Sequence, residues 1–460
     1  RLFEHATTFG SLIQVPEGLA EKLPALKQLS EATSQDMFVS EALKRLAPLV
    51  QQAELLAAQY DAVVANPPYM GSGGMNAAVK KFAKDYFTDA KSDLFSCFIV
   101  RTYTLARNAG YSSVVTMQNW MFLSSFRKLR ERMLQSKTIT AMAQIGYNSF
   151  PSMNSKVAQA TVFALVNRRI AHYRAKFRDL NSAPQSADKM DVFRAHEPAT
   201  CFVTTAEQLQ KIPGSPLAYW VSHFESFSMP ALSTHAESGG RTKTHNDEQF
   251  IRTMWEVSRN KCGRDEKWLQ FEKGGDFRKW YGERVFLVNW SGEARDEYAS
   301  HGGLSNQKYW ARLGITWSDI TSGTNSFRMK EPGSEYSSTS PTIFLFDEKA
   351  EFRLLALLNS KPFAWLLRIL NPTLHVNPGD ALSAPVARCT SRSDEYGAAC
   401  VDLARSDWNV YERSWDFQSL PLLTTSTDPT PTLESSYTAW ITRNRDTIAE
   451  MKRLEEENNR

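Results

Sequence analysis

An α/β fold is predicted, and three observations predict it: short apolar runs bounded by breakers, amphipathic helical stretches between them, and no apolar run long enough to do anything else. The runs are Tyr60–Ala65, Ser112–Met117, Ile139–Ile145 and Thr161–Val166. Each has strand length rather than helix length. Tyr60–Ala65 is apolar on both faces and stops at Asn-Pro-Pro, which reads as a buried parallel strand. Strands alternating with helices imply a mainly parallel sheet. Ligands of such sheets sit beyond the carboxyl ends of the strands.

The remaining elements follow in order. Residues 1–60 read as helical, with Leu43, Leu46, Leu49, Val50 and Leu55 near helical spacing. A helix over 93–109 is expected to end at Gly110. The next covers about 122–135, with Phe122, Leu123, Phe126, Leu129, Met133 and Leu134 as its apolar stripe. Residues 171–250 are rich in proline and polar stretches and read as a connector packed through Tyr219, Trp220 and Phe224. Beyond 251 the character changes: six of the twelve Trp fall between Trp255 and Trp317. Residues 424–432 read as a linker, and the last 25 or so as a charged helix.

Composition excludes several classes. A chain of 460 residues has two or three domains as its prior. No 18-residue apolar run exists, so no membrane span is expected. Arg1–His5 is not followed by an apolar segment, so it is no signal peptide, and the opening in mid-pattern reads as a piece of a longer protein or a processed one. Cys97, Cys201, Cys262, Cys389 and Cys400 form no CxxC pair, which argues against a metal site and disulfides and fits a reducing cytoplasm. The net charge of +4 says little, but Arg101–Lys137 carries seven Lys or Arg against one acid, Glu131. Such a stretch suits a polyanion, or is simply a solvated helix face.

Asn66-Pro67-Pro68-Tyr69 carries the sharpest chemistry. Two prolines fix φ and remove two backbone donors. The resulting stiff turn presents acceptors only. The Asn66 side-chain oxygen and the Pro67 carbonyl suit one planar amino group, whose two protons they accept. This draws the nitrogen lone pair toward attack on an electrophilic methyl. Tyr69 offers a ring face. A base in duplex DNA reaches such a site only when flipped out, at a few kcal/mol, and stacking returns about 1–3 kcal/mol.

Asn66–Tyr69 after an apolar strand resembles the catalytic motif of adenine-N6 DNA methyltransferases. Asp93-Leu94-Phe95, Ser113–Trp120 with Arg127–Arg130, and Phe150-Pro151 before Val157–Val166 follow in the family's order. Phe9–Ile13, Asn66–Met75, Lys273–Gly282, Gly314–Trp317 and Leu357–Ser360 narrow the resemblance to the PglX methyltransferases of BREX phage-defence systems, related to fused restriction–methylation enzymes. The resemblance covers most of residues 1–400. It implies part of a Rossmann-like class I methyltransferase domain (1–170), a connector (171–250), a mixed α+β DNA target-recognition domain (251–400) and a helical or linker segment (401–460). It implies that Asn66 and Pro67 hold the amino group, with Pro68 as stiffener, that Tyr69 and Phe150 stack on the base, and that Asp93 and Phe95 border the cofactor pocket. The implied cofactor is S-adenosylmethionine. Its Gly-rich loop is not found here and is expected upstream of residue 1, so this piece alone is expected to be inactive. The implied partners are double-stranded DNA with a flipped adenine and other BREX proteins.

Residues 251–330 carry 14 Lys or Arg, 10 acids and 13 aromatics. Lys273, Arg278, Lys279, Arg312, Arg328 and Lys330 sit near glycines or turn residues and, with Arg127 and Lys128, are the candidate DNA contacts. Other readings stay open: a non-catalytic DNA-recognition subunit or scaffold of a defence complex, a fused nuclease resting on Glu450-Met451-Lys452, or an RNA or protein amino group as substrate.

Overall fold

In the computed structural model the described residues are all except 1, 148, 150–158, 185, 322, 388, 389 and 427. The chain divides into two compact units, Arg1–Phe224 and Glu225–Arg460. Among the described residues no helix is long and apolar enough to cross a membrane.

In the first unit, short helices α1 (Ala6–Phe9), α2 (Glu17–Ala20) and α3 (Leu23–Ser30) precede α4 (Met37–Ala57), which Asp36 caps by accepting from the Phe38 and Val39 amides. Strand β1 (Tyr60–Ala65), helices α5 (Ala77–Tyr86) and α6 (Leu94–Leu105), β2 (Ala106–Met117), α7 (Arg127–Ser136), β3 (Thr138–Gly146) and β4 (Ala160–Val166) follow. The stretch expected as a connector adds β5 (Ala175–Asp179), α8 (Lys189–Ala195), β6 (Cys201–Thr204) and α9 (Ala206–Lys211). The six strands form one sheet in the order β1-β2-β4-β3-β5-β6.

The expected mainly parallel sheet is corrected to a mixed one. Only β1/β2 and β3/β5 pair parallel, because β4 returns antiparallel and inserts between β2 and β3. The carboxyl ends of β1, β2, β3 and β5 therefore share one edge. Two further expectations shift. Gly110 does not cap a helix: α6 stops at Leu105, and Gly110 lies in β2, where an added Cβ would sit 3.1 Å from the Tyr60 and Asp61 carbonyl oxygens. The expected burial of β1 is not found either. It is the outer strand of its sheet, and Val64 is 81% exposed. The core of the unit lies under α6 and α7, with Phe95, Ile99, Val114, Trp120, Met133 and Phe163 fully buried. Tyr219 joins it, stacked on Phe177 at 4.9 Å.

The second unit begins with β7 (Ala236–Ser238), α10 (Asp247–Phe250), β8 (Ile251–Thr253), β9 (Trp268–Glu272), β10 (Phe286–Asn289) and α11 (Gly292–Ser300). It continues with β11 (Gly314–Trp317), β12 (Phe327–Lys330), β13 (Ser334–Tyr336) and β14 (Thr342–Leu345). Helices α12 (Glu351–Leu358), α13 (Lys361–Leu370), α14 (Pro378–Ser383), α15 (Ser391–Asn409), α16 (Pro421–Thr424) and α17 (Leu433–Asn458) complete it. The strands make two four-stranded sheets, β13-β9-β10-β8 and β12-β11-β14-β7. Helix α15 packs on α12 and α17.

Candidate active site

The Asn-Pro-Pro-Tyr turn begins one residue beyond β1, whose last residue, Ala65, pairs with Val114. It thus lies at the shared carboxyl edge, where a doubly flanked sheet places its ligands. Asn66 and Pro68 are exposed, Pro67 is buried and Tyr69 is half-buried. The buried proline anchors the turn while the asparagine faces solvent. The Tyr69 hydroxyl reaches the Asn66 side-chain oxygen at 3.5 Å, a long contact that a better donor displaces. Burial raises the Tyr69 hydroxyl above its ordinary value, so it keeps its proton at neutral pH. Its ring meets Phe95 edge-on, with centroids 6.1 Å apart.

Asp93 fastens the residue after the turn to the start of α6. Its Oδ1 accepts from the Met70 amide at 3.0 Å and, as the cap of α6, from the Phe95 amide at 3.2 Å. Backbone bonds run alongside, from Leu94 N–H to Met70 O at 3.0 Å and from Ser72 N–H to Ser92 O at 3.0 Å. Desolvation raises the Asp93 carboxyl, against the pull of the amides that donate to it. Phe95 is fully buried. Asp93 and Phe95 therefore act on the motif itself, one as clasp and one as the wall behind Tyr69. Phe150, the second stacking candidate, lies outside the described residues.

A feature the sequence did not reveal sits on the same edge. The Tyr219 hydroxyl donates to Gln144 Oε1 at 2.7 Å, Gln144 Nε2 donates to Gln118 Oε1 at 2.9 Å, and Gln118 Nε2 donates to Gln159 Oε1. This chain of amides ties the end of β3 to the loop after β2 and to the residue before β4. No spacing signals it, because its four members come from four separate segments. Asn119, next in that loop, has a buried side-chain oxygen without a hydrogen-bond partner among the described residues.

The candidate DNA contacts divide. Arg127 and Lys128 are exposed at the start of α7, Arg127 paired with Glu131 at 2.7 Å. Two others in the basic stretch, Arg101 and Arg130, are not surface groups. Arg130 is 2% exposed and donates to the carbonyls of Trp120, Leu123, Gly214 and Ser215. Arg101 similarly holds Ser11, Ile13 and Leu56. Burial lowers both guanidiniums to about 10.

In the second unit, Arg328 and Lys330 are corrected from DNA contacts to core residues, at 1% and 0% exposure in β12. The Lys330 ammonium donates to the Arg312 carbonyl at 2.7 Å, and burial lowers it to about 8. Lys273, Arg278, Lys279 and Arg312 reach the surface but are engaged: Lys273 with Asp247 at 2.5 Å, Arg278 with Asp407 at 2.9 Å, Lys279 with Glu455 at 3.1 Å and Arg312 with Glu348 at 3.7 Å. Among the described residues no cluster of His, Cys, Asp or Glu is placed to hold a metal.

Residues 19–150 match the family model of the Eco57I restriction-modification methylase. The particular resemblance is to the PglX type of adenine-specific methyltransferase. The chain is 35% identical over 437 residues to the adenine-specific methyltransferase BrxX of Escherichia coli O9:H4 (strain HS), covering 92% of this chain and 36% of the relative. It is 33% identical over 445 residues to the adenine-specific methyltransferase PglX of Lacticaseibacillus casei (strain Zhang), covering 90% and 36%. The chain thus spans about a third of the length of these relatives. Among solved structures, the Type IIL restriction-modification enzyme MmeI in complex with DNA shares the fold at a TM-score of 0.52 and 12% identity, over 86% of this chain and 53% of that one.

Proposed function

We propose that this chain carries the base-binding and DNA-recognition part of a site-specific adenine-N6 DNA methyltransferase that acts in phage defence. The observation that supports it most is the exposed Asn66 at the carboxyl end of β1, with Tyr69 held beside it by Asp93 and Phe95. Asn66 Oδ1 and the Pro67 carbonyl accept the two protons of the adenine amino group. The approach of that group replaces the long Tyr69 contact to Asn66, leaving the Tyr69 ring to stack on the flipped base. S-adenosylmethionine supplies an electrophilic methyl group when bound. Asn66 and Pro67 would hold the amino nitrogen toward that methyl group, and the proton it sheds on methylation would pass to water. Asp93 serves this chemistry as a positioning residue, because its Oδ1 holds the Met70 and Phe95 backbone amides.

The residues described here suit the base better than the cofactor. Asp93 Oδ1 is taken up by the Met70 and Phe95 amides, and the Phe95 side chain is apolar. The outer edge of β1 is exposed and apolar at Val64, and the relatives are longer. We therefore place the cofactor loop in sequence outside these 460 residues. The relevant experiment is transfer of labelled methyl groups from S-adenosylmethionine to DNA by the natural full-length protein, with the modified bases sequenced. Methyl-adenine is expected, and Asn66→Ala should abolish it. Undiminished transfer by Asn66→Ala, or methylation of another base, would defeat the reading.

A further inference from the structure

Two exposed aromatic side chains leave the same end of one sheet in the second unit. Thr253, the last residue of β8, pairs with Phe286, the first of β10, and Phe286 also pairs with Phe271 of β9. The chain leaving β8 and the segment joining β9 to β10 therefore emerge together. The first carries Trp255, 67% exposed, and the second Phe277, 61% exposed.

The Phe277 segment is held in a conformation it would not adopt alone. Trp280 (φ 72°) and Glu283 (φ 60°) occupy the left-handed region, which costs a bulky residue free energy. At Gly275 and Gly282 a Cβ would sit 2.2 Å from Glu283 Oε2 and 2.4 Å from Arg278 Cδ. Such strain persists only where surroundings over-determine it. Here the Trp280 amide donates to Phe327 O at 2.8 Å and its indole to Glu455 at 2.9 Å. Arg278 lies over Trp408 at 5.1 Å, and Ser318 Oγ donates to Gly275 O at 2.9 Å. These contacts fix the segment with Phe277 exposed.

We propose that Phe277, with Trp255 at the same sheet end, is an aromatic wedge that packs against base faces of duplex DNA. The inference rests on the DNA reading given above and deepens it. The cations flanking Phe277 are bound internally, so the tip offers DNA the apolar ring beside one exposed carboxylate, Asp276, rather than a positive charge. The surrounding residues 241–279 still carry 10 Lys or Arg against 7 acids, a field that tolerates a polyanion. Apolar side chains on rigid supports unstack base steps in this way.

The test is fluorescence polarisation of this chain with a labelled mixed-sequence duplex at several salt concentrations. Phe277→Ala should weaken binding about tenfold, as loss of one base–aromatic contact does. The slope of affinity against salt should stay unchanged, because no phosphate contact is removed. Phe277→Leu should keep most of the affinity, and all variants should melt as the parent does, since the side chain is exposed. If Phe277→Ala and Trp255→Ala bind like the parent, the wedge is overturned while the DNA reading stands. If the parent itself does not bind the duplex, both fall.

Discussion

Replacing Asp93 with alanine removes the acceptor shared by the Met70 and Phe95 amides, at 3.0 and 3.2 Å. Loss of a helix cap costs about 1 kcal/mol. A hydrogen bond to a charged acceptor is worth about 1.5–3 kcal/mol when buried, and Asp93 is only half-buried, so solvent screening reduces it to about 1 kcal/mol. The total is about 2 kcal/mol. The carboxyl is raised by desolvation despite its amide donors, so its charge is held at a cost. Asp93→Asn keeps an acceptor oxygen without that charge and should lose under about 1 kcal/mol.

Amide hydrogen exchange reads this locally. An opening made easier by about 2 kcal/mol raises exchange at Met70 and Phe95 roughly 30-fold. Ser72 and Leu94, bonded across the same seam, should follow. In the full-length protein the loosened turn should lower turnover more than DNA affinity. Unchanged exchange at Met70 and Phe95 in Asp93→Ala would show that the clasp holds nothing, and the account of how the turn is fixed would be wrong.

Two other substitutions test the reassigned charges. Arg130→Ala strands four carbonyls, two buried and two part-buried, and should cost about 3 kcal/mol by urea denaturation; a loss under about 1 kcal/mol would return Arg130 to the surface. Glu335, buried near Lys330, has its carboxyl raised by burial to about 7. Its folded value exceeds the unfolded one, so the stability it contributes is present below about pH 4.3 and lost as pH rises to about 7. Glu335→Gln should thus be more stable relative to the parent at pH 8 than at pH 5, and an equal difference at both would refute the assignment.

Much of the first unit is legible in the sequence because strand and helix periods differ. Tyr60–Ala65 is a strand with those limits, Thr161–Val166 lacks only Ala160, and Ile139–Ile145 extends by one residue at each end. The Asn-Pro-Pro-Tyr corner is legible because proline dictates backbone locally. Strand direction is not local: the insertion of β4 between β2 and β3 depends on pairing partners, and no periodicity records it. The exposure of Val64 likewise depends on what flanks β1, not on the strand's own pattern.

Charge is where pattern misleads most, and the reason is geometric. Arg127 has Glu131 four residues on and a solvent side to point to. Arg130 stands four residues after Phe126 and four before Leu134, inside the apolar stripe of α7, so its side chain has no route outward. That spacing is a usable signal, and it separates two arginines that composition counts alike. Arg101 sits in a helix with residues buried all round, Phe95, Cys97, Ile99 and Thr102 among them, and has no polar face to join. Arg328 and Lys330 offer no such sign, because all four residues of β12 are buried whichever way they point. A basic residue near a turn is therefore a DNA contact only if its own element has a wet face. By that criterion Arg127 and Lys128 remain candidates for that role, while Arg328 and Lys330 do not.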